Sequence, residues 1–253
     1  MELVFLTALG IGGATVVGAL LGFIFKNISH KFSDIVLSFA AGVMLCAAIL
    51  GLILPSLEYG EGMTGLLVTI AGIFAGAFCL NLLDKVTPHL HRLAGVEHEA
   101  HPEKTKRINK VLLFVLAIGI HNLPEGIAAG VGFGTENIGQ AMSIAVGIAL
   151  QNVPEGMVII APMLAAGMTP WRTFWCALAT GLVEVFGTLL GYFAVTISTA
   201  ILPFALAFAG GTMMYVISDE MIPETHAHGQ ERAATYALLV GFCLMLVFDV
   251  LLG

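Results

Sequence analysis

Apolar runs of about twenty residues recur eight times along the chain, near 4–25, 35–55, 63–83, 111–132, 140–165, 172–195, 203–222 and 233–252. A helix rises ~1.5 Å per residue, so each run is long enough to cross a hydrocarbon core of ~30 Å. The interruptions carry proline, glycine and charge, as turns do. Most are short, and only the third, about 84–110, is long and strongly polar. This pattern predicts an all-α polytopic membrane protein of eight transmembrane helices, a single transmembrane domain over 1–253 with a histidine-containing loop at 84–110. The start Met1-Glu2 lacks a basic leader, so the run 4–25 is expected to be a retained first span rather than a cleaved signal.

Composition agrees with this reading. The chain is 58% hydrophobic and 11% charged, whereas soluble domains carry roughly 25% charge. Its mean hydropathy is +0.97. The formal net charge of -7 argues against a nucleic-acid partner and leaves the lipid bilayer as the surrounding phase. Cys46, Cys79, Cys176 and Cys243 each stand alone in apolar runs with no CxxC, so they are expected to be small packing residues.

Charge also orients the chain. All ten basic residues, from Lys26 and Lys31 through Lys85, Arg92, Lys104, Lys106, Arg107 and Lys110 to Arg172 and Arg232, fall in alternate connections and so on one side. The positive-inside rule makes that side cytoplasmic and both termini external. The other side carries Glu2, Glu58, Glu61, Glu136 and Asp249 with no lysine or arginine. Such a face raises the local concentration of cations. The spacings Gly18/Gly22, Gly72/Gly76, Gly126/Gly130 and Gly187/Gly191 predict helices in close approach.

Two near-identical polar motifs interrupt the apolar pattern at depth: His121-Asn122-Leu123-Pro124-Glu125-Gly126 and Gln151-Asn152-Val153-Pro154-Glu155-Gly156. Each begins about ten residues into its span, ~15 Å deep, which is the bilayer midplane. An ionisable group there costs about 2.5–3.5 kcal/mol even on lenient insertion scales. His121, Asn122 and Glu125 share one helical face, as do Gln151, Asn152 and Glu155, and Glu184 of the sixth span reaches the same layer. Pro124 and Pro154 free carbonyls four residues back and are expected to kink or break the helices. A mixed set of one imidazole, three carboxylates and three amides suits a divalent cation held with moderate affinity. The lack of thiolate ligands disfavours a tight structural zinc site. Metal binding among facing carboxylates is expected to release protons and make transport pH-sensitive. The competing reading is interhelical hydrogen-bond glue around proline kinks.

These motifs resemble the ZIP (Zrt/Irt-like) family of divalent metal transporters, and the pair HNLPEG and QNVPEG looks like its GufA branch. The resemblance implies movement of Zn2+, or of Fe2+, Mn2+ or Cd2+, into the cytoplasm by alternating access, and the compact chain without a leader is expected in a bacterial inner membrane. It implies no prosthetic group, the metal being cargo. It implies a 3+2+3 arrangement with inverted repeats, and a homodimer as a candidate assembly. It implies a binuclear centre, with His121, Glu125, Gln151 and Glu155 resembling one subsite and Asn122, Glu125, Asn152, Glu155 and Glu184 the other. Met44 resembles a soft ligand from the second span. Some relatives carry Asp at the place of Asn152, and many carry His at that of Gln151, so this chain's centre pulls less strongly on a cation. Asp219-Glu220-Met221-Ile222-Pro223-Glu224-Thr225-His226 resembles the family's His-Glu-rich segment, with Asp219 in the leading His position. Asp219, Glu220, Glu224, His226 and Asp84 are expected to mark a cytoplasmic exit. The histidines His89, His91, His98 and His101 of the long loop could bind metal weakly, as a sensor or an acceptor, or belong to a solvated linker, and His30 and His228 lie on the same side. A passive metal channel and a membrane-embedded metallohydrolase remain as alternatives, though the latter has no HExxH and a single intramembrane histidine.

Overall fold

The structure, a computed structural model, describes residues 1–25, 29–86, 119–135 and 137–252; of Asp84 and Val86 it describes the backbone alone. Eight helices follow in order: α1 (Glu2–Ile24), α2 (His30–Tyr59), α3 (Gly62–Val86), α4 (119–132), α5 (Ile138–Ala165), α6 (Pro170–Ile197), α7 (Thr199–Thr225) and α8 (Glu231–Leu252). Seven of these are long and apolar enough to cross a membrane; the predicted fourth span is described only over 119–132. Glu136, Lys26, the 87–110 portion of the loop with its histidines His89, His91, His98 and His101, and the first part of the predicted fourth span, 111–118, lie outside the described residues.

The helices outrun the apolar stretches because polar caps start them. Ser29 Oγ accepts from Phe32 N–H, Asn137 Oδ1 from Gln140 N–H and Thr169 Oγ1 from Arg172 N–H, each satisfying a donor that the first turn leaves free. Gly167 and Gly229, with φ of 87° and 76°, turn the chain after α5 and α7 in a region that β-carbon-bearing residues avoid.

Two features differ from the expectation. Pro154 sits inside the continuous helical stretch Ile138–Val158, and the interruption comes a turn later at Ile159. The helix around Pro124 is likewise unbroken over 119–132. Instead, α2 and α7 each widen into a π turn, Ala47–Ile53 and Ile217–Met221, just before Pro55 and Pro223. A proline has no N–H and its ring crowds the carbonyl four residues back; the wider turn relieves that clash.

The predicted close approaches are present. At Gly18, Gly22, Gly76, Gly126, Gly130, Gly187 and Gly191 an added β-carbon would run into the backbone carbonyl of a neighbouring helix. These contacts recur in pairs that expose an internal twofold relation. Gly12 of α1 and Gly181 of α6 meet each other's carbonyl. Gly18 on Val153 is matched by Gly187 on Leu123, and Gly156 on Thr15 by Gly126 on Glu184. Gly42 on Leu238 is matched by Gly211 on Ile73, and Gly241 on Phe39 by Gly76 on Phe208. One twofold relation therefore maps α1, α2 and α3 onto α6, α7 and α8, and α4 onto α5, the inverted three-helix repeats around a central pair that the resemblance implies. In space the repeats interleave. Helices α1, α5 and α6 pack together with α4, while α3 packs on α7 and α2 on α8. The two groups meet where α2 crosses α5, around a buried cluster that includes Met44, Ile144, Ile148 and Met213.

Candidate metal centre

Helices α4, α5 and α6 bring the polar motifs together as their spacing predicts, and α1 adds a fourth wall. Asn122, Glu125, Gln151, Asn152 and Glu184 are all buried, at 3% exposure or less, while His121 and Glu155 are half-buried. Glu125 is near enough to both Glu155 and Glu184 to feel their charges, and Glu155 likewise feels His121.

Glu184 is held at both oxygens. Thr15 Oγ1 of α1 donates to its Oε2 at 2.8 Å, and Asn152 Nδ2 donates to its Oε1 at 2.6 Å. Asn152 Nδ2 also donates to the Ile11 carbonyl at 3.2 Å. The twofold relation repeats this last bond: Asn122 Nδ2 donates to the Thr180 carbonyl at 3.3 Å. Both asparagines thus fasten a motif helix to the backbone of the facing α1 or α6.

What remains unsatisfied is chiefly acceptor oxygen. The Gln151 amide approaches Glu125, yet Glu125 Oε2, both polar atoms of Gln151 and Asn152 Oδ1 are buried without a hydrogen bond of regular geometry. Buried polar atoms are otherwise almost always paired. Three such oxygens in one layer are what a cation would satisfy. Among the described residues, no three His, Cys, Asp or Glu side chains gather closely enough to hold a metal by themselves. A coordination sphere here has to be completed by the amide oxygens.

The remaining expected residues are placed as follows. Met44 is 1% exposed within the apolar cluster between α2, α5 and α7. Glu220, expected at a cytoplasmic exit, instead reaches the centre, where its Oε1 lies 3.0 Å from His121 Nε2. The π turn explains the difference, because an extra residue in a turn rotates the side chains that follow by about 100°. Asp219, one residue earlier, points away to line a shallow apolar groove with Ile73, Phe74 and Tyr215. Glu224 is exposed, and His226 is engaged locally, Nδ1 with the Ile222 carbonyl at 2.8 Å and Nε2 with Thr235 Oγ1 at 3.2 Å. The described exit residues are therefore dispersed, and the Asp84 side chain lies outside the description. His228 pairs with the buried Asp34 at 3.1 Å and stacks on His30.

Sequence reasoning missed Thr15. Its signal was nonetheless present: Gly12-x-x-Thr15-Val16-x-Gly18-x-Leu20-Leu21-Gly22 recurs as Gly181-x-x-Glu184-Val185-x-Gly187-x-Leu189-Leu190-Gly191. Thr15 occupies in α1 the place of Glu184 in α6.

Among the described residues, seven helices long and apolar enough to cross a membrane, with α4 beside them, surround a buried set of carboxylates and amides, which defines a multi-pass membrane protein with a polar centre. The family model described as ZIP zinc transporter matches residues 89–249. The chain is 41% identical to the zinc transporter GufA of Myxococcus xanthus, over 96% of both chains. It is 40% identical to the zinc transporter ZIPB of Bordetella bronchiseptica, over 95% of this chain and 78% of that one. With the zinc transporter ZupT of Chlorobaculum parvum it shares 33% identity, over 93% and 92%. The chain belongs to the ZIP family.

Proposed function

We propose that this protein carries divalent metal ions, Zn2+ foremost, into the cytoplasm through the polar layer between α1, α4, α5 and α6. Membership in a family of metal transporters supports the activity and leaves the metallohydrolase reading without support; the relatives named above are all zinc transporters. The observation that carries the site is the set of buried, unpartnered oxygens on Glu125, Gln151 and Asn152 beside two further carboxylates. In this reading His121, Glu125, Gln151 and Glu155 hold one ion, and Asn122, Glu125, Asn152, Glu155 and Glu184 a second. Met44 enters the coordination only if α2 shifts against α5. Fe2+, Mn2+ and Cd2+ fit the same mixed donors. Glu220 gives up His121 as metal arrives and offers a carboxylate on the way out. In this reading the membrane is a bacterial inner membrane, with the termini outside and the long loop in the cytoplasm; the basic residues gathered in alternate connections support that orientation. A homodimer belongs to this reading on the resemblance alone.

Initial-rate zinc uptake into sealed proteoliposomes tests it, comparing wild type with Glu125→Ala/Glu155→Ala. Saturable uptake that the double substitution abolishes is the expected result. Saturable uptake that survives it would remove the layer from the transport route, and flux rising linearly with zinc would favour a channel.

A further inference from the structure

We propose that Thr15 is a positioning residue for the metal site: its hydroxyl holds Glu184 so that Glu184 turns the Asn152 carbonyl oxygen toward the cation. This rests on the reading of the layer as the transport site.

The orientation of the Asn152 amide is dictated by its neighbours. The Ile11 carbonyl can only accept, so the amide atom facing it is the nitrogen. That nitrogen has two N–H groups, one for Ile11 and one for Glu184 Oε1. With both used on the α1 and α6 side, Oδ1 is turned the other way, buried and without a partner. The Ile11 carbonyl selects which amide atom faces α1, and the position of Glu184 Oε1 then sets the direction of the amide plane, which in turn depends on what holds the other carboxylate oxygen. The hydroxyl of Thr15 does so at 2.8 Å.

Thr15 is itself tightly packed. It is 3% exposed, and its backbone carbonyl lies where a β-carbon on Gly156 would sit, so α1 and α5 touch main chain to main chain there. Gly18 presses on Val153 one turn further along. The hydroxyl is thus presented from a fixed backbone on the opposite helix. The twofold relation sharpens the point. Asn122 makes the equivalent bond to Thr180, but where Asn152 has Glu184 as its second acceptor, the place related by symmetry holds Thr15. Among the described residues Asn152 alone of the two asparagines is clamped twice, which assigns it as the firmly oriented oxygen donor of the layer.

The test is the kinetics of zinc uptake by the full-length chain in proteoliposomes for Thr15→Val, which keeps the shape and removes the hydroxyl, and Thr15→Ser, which restores it. Loss of one hydrogen bond to a charged group corresponds to a change of about tenfold. The expected result is a KM for zinc raised about five- to tenfold in Thr15→Val with a smaller change in kcat, and a KM close to wild type in Thr15→Ser. Thr15→Ala, which removes the hydroxyl without crowding, replaces Thr15→Val if that variant does not fold. A role in packing alone would lower the yield of folded protein and leave KM in place. An unchanged or lowered KM in a folded hydroxyl-free variant overturns the proposal. Glu125→Ala/Glu155→Ala run alongside separates the two failures: if it retains saturable uptake, the transport-site reading fails, whereas its inactivity with an unchanged Thr15→Val KM overturns the role of Thr15 alone.

Discussion

The half-buried pair of His121 and Glu220 sets a residue-scale competition at the centre. Nε2 of His121 is the one imidazole donor the layer offers, and Glu220 Oε1 stands 3.0 Å from it. A metal ion that takes His121 has to displace that contact. The side chains are 15% and 22% exposed, so solvent screens the pair and its worth is modest. Glu220→Gln keeps the shape and removes the charge. The expected outcome is an apparent KM for zinc lowered by about two- to fivefold, read from saturation curves. A raised KM would instead make Glu220 a metal donor from the first step. His121 and Glu220 come from separate helices, and nothing in their spacing along the chain pairs them. By contrast, the grouping of His121, Asn122 and Glu125 follows from helical geometry and holds for burial, although adjacent residues face different walls: Asn122 toward Thr180 and His121 toward Glu220.

Among the elements, the glycine contacts do the work that apolar burial does in soluble proteins. Lipid is as apolar as leucine, so helices associate through close packing and interhelical hydrogen bonds. Gly126 of α4 lies against the Glu184 backbone and Gly130 against that of Thr188. A valine at 126 would force α4 and α6 apart beside the polar layer, and overpacking of this kind costs about 1–3 kcal/mol. Gly126→Val is expected to lower the melting temperature in detergent and to abolish uptake. Gly10 has open space around it, so Gly10→Ala should leave both unchanged. A Gly126→Val variant as stable as wild type would mean that the helices approach differently. The π turns of α2 and α7 were not legible in the sequence, because hydrophobic periodicity averages over a single widened turn and Pro55 and Pro223 alone do not specify how the strain is relieved.

At the scale of the whole molecule the orientation is the open physical consequence of charge. Cysteine placed singly at Glu2 or Glu58, in a chain otherwise freed of Cys46, Cys79, Cys176 and Cys243, should react with a membrane-impermeant thiol reagent in intact cells. Lys31→Cys and Arg172→Cys should react only after permeabilisation, as the positive-inside rule requires. The reverse labelling would invert the topology and turn uptake into efflux.

The apolar runs were enough to determine the approximate limits of the seven spans that the described residues show, since a run of twenty apolar residues has few other stable environments. The paired motifs, read at helical spacing, were enough to bring six polar side chains to facing helices, and depth along the sixth span added Glu184. The repeat linking Thr15 with Glu184 was written in the chain as well, but its meaning needs the twofold packing that sets α1 against α5 and α6. Only the tertiary structure decided which acceptors stay unpartnered, that Glu220 turns inward while Asp219 turns out, and that α1 supplies a wall of the centre. Those outcomes depend on contacts between residues as much as 169 positions apart, and on the phase of a single π turn, which local sequence patterns do not encode.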